Sequence, residues 1–153
     1  MIQRIQSIFL LLAAIVMALL LLGPMYFISV DKAVSTVAPT ATMLADGVFE
    51  SSDHIILLVL VILSAILPII IIFLYKNRVL QMKLGRITVT LIVLTLALSI
   101  ILFLNDYKQI SVGTSITIEY GYLAPVIAII LLALAIRYIK KDEKLVRSAD
   151  RLR

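Results

Sequence analysis

The one histidine of the 153-residue chain, His54, follows Asp53, and Glu50 lies three residues before that aspartate. On a helix these three positions, i, i+3 and i+4, share one face, and two carboxylates with an imidazole form a donor set for a divalent metal. The same residues also stand where a long apolar run begins, so ordinary capping competes. In that reading Ser51 or Ser52 is the N-cap and the acids sit beside the positive end of a helix. Capping is the preferred reading, because the residues ahead of His54 need not be helical. Nucleophilic catalysis would need a serine with a base in reach, and no motif ties any serine to His54. There is also no cysteine and no glycine-rich phosphate loop. The expectation is a protein without enzymatic activity, cofactor or metal.

The second charged feature is the stretch "IRYIKKDEKLVRSADRLR", which holds seven basic and three acidic residues directly after an apolar segment. Lys140, Lys144, Arg147 and Arg151 recur at i, i+4, i+7 and i+11, a basic stripe on a continuing helix. Leu145, Ala149 and Leu152 form an apolar face beside it, and Glu143 to Arg147 is a favourable i, i+4 pair. A basic residue near anionic lipid contributes on the order of 1 kcal/mol, partly offset here by the three acids. The stripe is therefore expected to contact anionic headgroups, and the apolar face leaves room for a protein partner or self-association. Nucleic acid is not an expected partner, since that would call for a purely basic patch with aromatic residues for stacking.

These residues are carried by an apolar chain. Hydrophobic residues make up 63%, charged residues 15%, and the mean hydropathy is +1.16. A soluble domain of this length cannot hide so much apolar surface, so the membrane class is favoured before any motif is read. Four apolar segments stand out at about 7–28, 55–75, 87–104 and 121–139, followed by an amphipathic tail over 140–153. Roughly 18 to 22 residues at about 1.5 Å each match a hydrocarbon core of about 30 Å. Each segment reads as a transmembrane helix, since an open strand edge is not satisfied in lipid. The first is longer than a signal-peptide core and no small-x-small cleavage site follows closely, so it reads as a retained span. The fold expected is a single all-α membrane domain over 1–153, a four-transmembrane-helix bundle.

Charge asymmetry sets the expected orientation. Arg4, Lys76, Arg78, Lys83, Arg86, Arg137, Lys140, Lys141, Lys144, Arg147, Arg151 and Arg153 fall on one side, which is twelve of the fourteen basic residues. The loops on the other side hold Lys32 and Lys108 together with Asp31, Asp46, Glu50, Asp53, Asp106 and Glu119. Both termini are thus expected in the cytoplasm. The outer loops carry hairpin signals: Asp46-Gly47 within "TATMLADGVFES", and Gly113-Thr114 between Ile110, Val112, Ile116 and Ile118. Two such hairpins would make a small extracytoplasmic β cap. The connection "KNRVLQMKLGR" is short and makes the second and third helices antiparallel neighbours.

Within the spans no Asp, Glu, His, Lys or Arg lies away from the ends, which argues against an ion-coupled transporter. Small residues recur at helical spacing: Ser7, Ala14 and Ala18; Thr88, Thr95 and Ser99; Ala124, Ala128 and Ala135. Such faces permit close helix approach in lipid. Pro68 is expected to bend the second helix.

The segments "MIQRIQSIFLLLAAI", "FLYKNRVLQMKLGR" and "KKDEKLVRSADRLR" together resemble a bacterial domain-of-unknown-function family of small four-pass inner-membrane proteins. The resemblance covers the whole chain and implies the same four-helix topology, a Gram-negative origin and no established activity. It supplies no catalytic residue. Arg4, Lys76, Asn77, Arg78, Asp142, Glu143, Lys144 and Arg147 match the family pattern without a role following from the match.

The function expected is that of a non-catalytic accessory or scaffold subunit of a larger inner-membrane complex. The alternative is a passive channel or small-solute carrier formed by self-association, its hydroxyls at Thr88, Thr95 and Ser99 facing a common axis. Because the chain lacks cysteine, orientation is directly measurable. A single cysteine at Lys108 is expected to react with a membrane-impermeant maleimide on intact spheroplasts, and one at Lys83 only after permeabilisation. The reverse pattern would invert the topology.

Overall fold

The computed structural model describes residues 2–22, 25–30, 47–75, 77–107 and 116–150, with the side chains of 2–4, 147, 149 and 150 outside the description. In chain order the elements are α1 (Ile2–Leu19), β1 (Ile28–Val30), β2 (Val48–Phe49), α2 (Ile55–Phe73), α3 (Arg78–Tyr107), β3 (Ile116–Ile118), a 3-10 turn (Tyr120–Tyr122) and α4 (Leu123–Asp150). Each helix packs on its chain neighbours, and α1 also packs on α4, so the four close into a ring. The three strands form one small sheet at the end of the ring where α1 and α3 finish and α2 and α4 begin. Of the described helices, Ile55–Phe73, Arg78–Tyr107 and Tyr120–Val146 are long and apolar enough to cross a membrane, and Ile5–Leu19 is a shorter apolar helix.

The side chains are distributed as lipid, and not water, would have them. Large aliphatics such as Ile8, Leu12, Ile15, Leu63, Ile66, Ile100, Leu104 and Ile130 point outward. The faces turned inward carry Ala13, Ala14, Ser64, Ala65, Thr88, Thr95, Ser99, Ala124, Ala128 and Ala135, all buried. On α3 the inward positions are Gln81, Gly85, Thr88, Ile92, Thr95, Ser99 and Phe103, a spacing of three and four that keeps one narrow seam against the neighbours. Apolar side chains gain little by leaving lipid for protein, so association depends on close contact along these small-residue seams.

The element boundaries differ from the expected ones in three places. The first helix covers Ile2–Leu19, and Ile28–Val30 is strand. Gly23-Pro24 supplies the sequence-level break, and the β-branched residues beyond it fit a sheet better than a helix. Residues 78–86, expected as a loop, are the first turns of α3, so the connection is only 74–77. Asn77 starts that helix: its carbonyl accepts from the Gln81 N–H at 3.0 Å, and its side-chain oxygen from the Leu80 N–H at 3.3 Å. The N-cap of α2 is His54 in extended conformation, with no side-chain capping bond, and not Ser51 or Ser52. Pro68 lies on the buried face of α2, and the helix continues to Phe73.

A sheet does form, with a topology different from two local hairpins. β1 is central, antiparallel to β2 on one side (Ile28 opposite Phe49) and to β3 on the other (Ser29 opposite Thr117). Gly47, at φ 74°, occupies the left-handed region that glycine favours, and its carbonyl accepts from the Val30 N–H at 2.7 Å. Residues 31–46 and 108–115, which carry the rest of both predicted hairpins, lie outside the described residues.

Two glycines mark close approaches, one to a backbone and one to a side chain. A Cβ on Gly121 would stand 2.3 Å from the Tyr26 carbonyl oxygen, the atom that accepts the Gly121 N–H at 2.8 Å. A Cβ on Gly85 would stand 2.9 Å from Cγ1 of Ile136. A side chain can rotate aside where a hydrogen-bonded backbone cannot. Gly121→Ala is therefore expected to destabilise by about 3 kcal/mol and Gly85→Ala by about 1 kcal/mol, the two ends of the usual overpacking range. Thermal unfolding in detergent micelles reads both. Equal losses would contradict the assignment.

Candidate functional site

The polar groups gather at the two ends of the ring. At the sheet end, His54 Nε2 lies 2.9 Å from Asp106 Oδ2, joining the start of α2 to the last turn of α3. Glu50, Asp53 and His54 do not converge. The Glu50 carboxylate accepts from the Ser52 hydroxyl at 2.6 Å, and Asp53 Oδ2 accepts from the Glu50 N–H at 2.8 Å. Among the described residues no group of three acids or histidines is placed to hold a metal. Ser51, close to His54 in sequence, donates its hydroxyl to the Leu20 carbonyl at 3.0 Å and so is committed to the end of α1.

Beneath this pair is an aromatic floor. Phe49 contacts His54 (5.9 Å between ring centroids), Phe27 (6.3 Å) and Phe103 (5.7 Å), and Phe27 also meets Tyr122 at 5.0 Å. Phe27 and Phe49 are fully buried. Ser29, in the central strand, donates to Glu119 Oε1 at 2.8 Å. A serine has one hydroxyl proton, so in its 2.5 Å contact with Ser29 the Thr117 hydroxyl is the donor.

The other end is basic. Arg78 Nη2 reaches Asp142 Oδ2 at 3.2 Å, tying the first turn of α3 to α4. α4 runs unbroken to Asp150, so the stretch from Lys140 is a rigid extension of the apolar helix and not a separate tail. Lys140 and Lys144 are exposed on it, as are Leu145 at 50% and Val146 at 41%. With Val79, Met82 and Arg86 of α3 and Glu143 of α4, the two lysines line a cleft of about 310 Å³. Arg147 lies in the helix with its side chain outside the description, and Arg151 and Leu152 lie beyond the described residues. The other half of the predicted stripe is thus not described.

Between the two ends the hydroxyls of α2 and α3 are satisfied locally. Thr88 and Thr95 donate to the carbonyls of Leu84 and Leu91 at 2.9 Å, Ser99 to that of Leu96 at 2.8 Å, and Ser64 to that of Leu60 at 2.7 Å. All four are buried against neighbouring helices of the same chain. They do not face outward toward an axis that several copies would share.

Sequence reading did not single out Asp106 as the partner of His54, the Arg78–Asp142 pair, or Arg86 beside the two lysines. For α3 a signal was present. Continuing the Thr88, Thr95, Ser99 spacing back toward the N-terminus gives Gly85 and Gln81, which are both buried on the same face. No sequence signal pairs residues 54 and 106, because their approach depends on helix register.

A family model described as Domain of unknown function (DUF4293) matches residues 2–152. No curated protein and no solved structure matches the chain.

The His54–Asp106 pair is partly exposed, with 21% and 18% of the side-chain surface accessible. A double-mutant cycle of His54→Ala and Asp106→Ala, read by unfolding in micelles, is expected to give a coupling of about 0.5–1 kcal/mol. A value near zero would make the contact incidental.

Proposed function

We propose that this chain, which belongs to the domain-of-unknown-function family DUF4293, is a four-pass subunit of a bacterial inner-membrane assembly. Its role is non-catalytic, as an accessory or scaffold protein with both termini in the cytoplasm. The observation that carries the reading is the overhang of α4. At about 1.5 Å per residue its 28 residues extend about 42 Å, against an apolar core of about 30 Å. The surplus turns form a stiff arm that presents Leu145 and Val146 to whatever lies beside the membrane. Exposed aliphatics on a charged helix outside lipid suit a protein partner.

The support for four passes rather than three comes from α1. Its 18 residues give about 27 Å, it packs against both α2 and α4, and its outward face is as aliphatic as theirs. The excess of lysine and arginine at the end opposite the sheet supports a cytoplasmic placement of that end. Anionic headgroups are the second partner, met by Lys140 and Lys144. The absence of ionisable side chains from the spans favours a structural role over ion-coupled transport.

The test is gentle solubilisation of the native assembly through a tag inserted within residues 31–46, with cross-linking and mass spectrometry. One stoichiometric protein is expected to accompany the wild-type chain and to be lost from Leu145→Asp with Val146→Asp. A monomer under every mild detergent condition, or a partner retained by the double variant, would overturn the subunit reading.

A further inference from the structure

We infer that the cleft between the first turns of α3 and the extension of α4 is a binding site for the phosphate headgroup of an anionic phospholipid. The inference rests on the membrane-spanning reading above and not on the subunit reading.

The Arg78–Asp142 pair and the approach of Gly85 to Ile136 set the antiparallel register of α3 against α4, Arg78 opposite Asp142 and Gly85 opposite Ile136. In that register Val79, Met82 and Arg86, at i, i+3 and i+7 of α3, meet Lys140, Glu143 and Lys144, at i, i+3 and i+4 of α4, around one cleft.

Three cations line it: Arg86 from α3 and Lys140 and Lys144 from α4. None of the three makes an ion pair or a side-chain hydrogen bond with a described residue. Arg78, at the start of the same helix, is already paired with Asp142. The single acid on the wall, Glu143, leaves a net excess of two positive charges. Clustering unpaired cations in one depression is unfavourable unless an anion joins them. The floor, Val79 and Met82, is apolar, and Ile87, next to Arg86, is half exposed on the lipid-facing surface. A ligand that is anionic at one end and apolar at the other matches this sequence of surfaces. Phospholipid meets the description, and basic pockets between helices on the cytoplasmic side are where such headgroups bind. A soluble phosphate would use the cations and leave the apolar floor uncovered.

The experiment uses the purified full chain in mild detergent, offered equal amounts of dioleoyl-phosphatidylglycerol and dioleoyl-phosphatidylcholine and read by native mass spectrometry. Preferential retention of phosphatidylglycerol is expected, falling about fivefold for each of Arg86→Gln, Lys140→Gln and Lys144→Gln. Lys141→Gln, adjacent in sequence but off the cleft, is expected to keep the preference. Glu143→Gln is expected to raise it, a gain that a misfolded variant would not produce. Equal retention of the two lipids would overturn the site. So would a triple variant that keeps the preference, or a Lys141→Gln loss as large as the others, which would indicate diffuse surface charge. Displacement of the lipid by inorganic phosphate at the same concentration would assign the cleft to a free anion instead. Leu145→Asp with Val146→Asp is expected to leave lipid retention unchanged, which separates this site from the partner-docking arm. Resistance of the reconstituted chain to carbonate extraction checks the membrane-spanning premise independently.

Discussion

A helix that stops inside an apolar layer leaves its last carbonyls without water, and the arrangement of this molecule depends on how that constraint is met. At the end of α1 the buried Ser51 hydroxyl takes up the Leu20 carbonyl, and at the end of α2 the buried Gln81 amide donates to the Ile71 carbonyl at 2.8 Å. In both cases the donor comes from a later part of the chain and not from the helix it finishes. Each bond therefore also fixes how far one helix can slide along the next. With α1 held against the approach to α2, and α2 against the first turns of α3, the small-residue seams have a single register in which to meet.

That register allows an interior that would fail in a soluble bundle. Hydroxyls and alanines share the buried seams with a few large side chains such as Leu57, Ile92 and Leu132, while many other leucines and isoleucines stand outside. The buried hydroxyls of Ser64, Thr88, Thr95 and Ser99 each return a proton to a carbonyl of their own helix. Thr and Ser at these positions thus behave as slim packing surfaces with their polarity internally settled. The two described ion pairs lie toward the ends of the ring, His54–Asp106 beside the sheet and Arg78–Asp142 at the opposite end.

Much of this was legible in the residues. The apolar runs announced the helices, and the spacings of Thr88, Thr95 and Ser99 and of Ala124, Ala128 and Ala135 identified faces that the structure buries, whereas of Ser7, Ala14 and Ala18 on α1 only Ala14 is buried. Gly47, singled out by the Asp46-Gly47 signal, does take positive φ. What was not legible depends on pairing over distance. Ile28–Val30 is apolar enough to read as the tail of a span, and only its partners at 48–49 and 116–118 make it a strand. Residues 78–86 carry enough charge to read as a loop, yet Asn77 caps them and Arg78 is neutralised by Asp142, so helix is sustained beyond the apolar stretch. A cleft formed from Arg86 and Lys140, 54 positions apart in sequence, leaves no local pattern to find.

The order of strands in the sheet has a consequence for biogenesis. β1 emerges directly after α1, but one of its two edges is covered only by β3, whose residues follow α3 by many positions; Ser29 and Thr117 are 88 apart. Throughout synthesis of the intervening chain that edge presents unpaired backbone groups, the kind of surface that pairs with whatever strand is nearest. Closure comes only when the segment leading into α4 arrives. The cap is then a late checkpoint: a ribosome must deliver three-quarters of the polypeptide before the first strand it made is shielded on both sides.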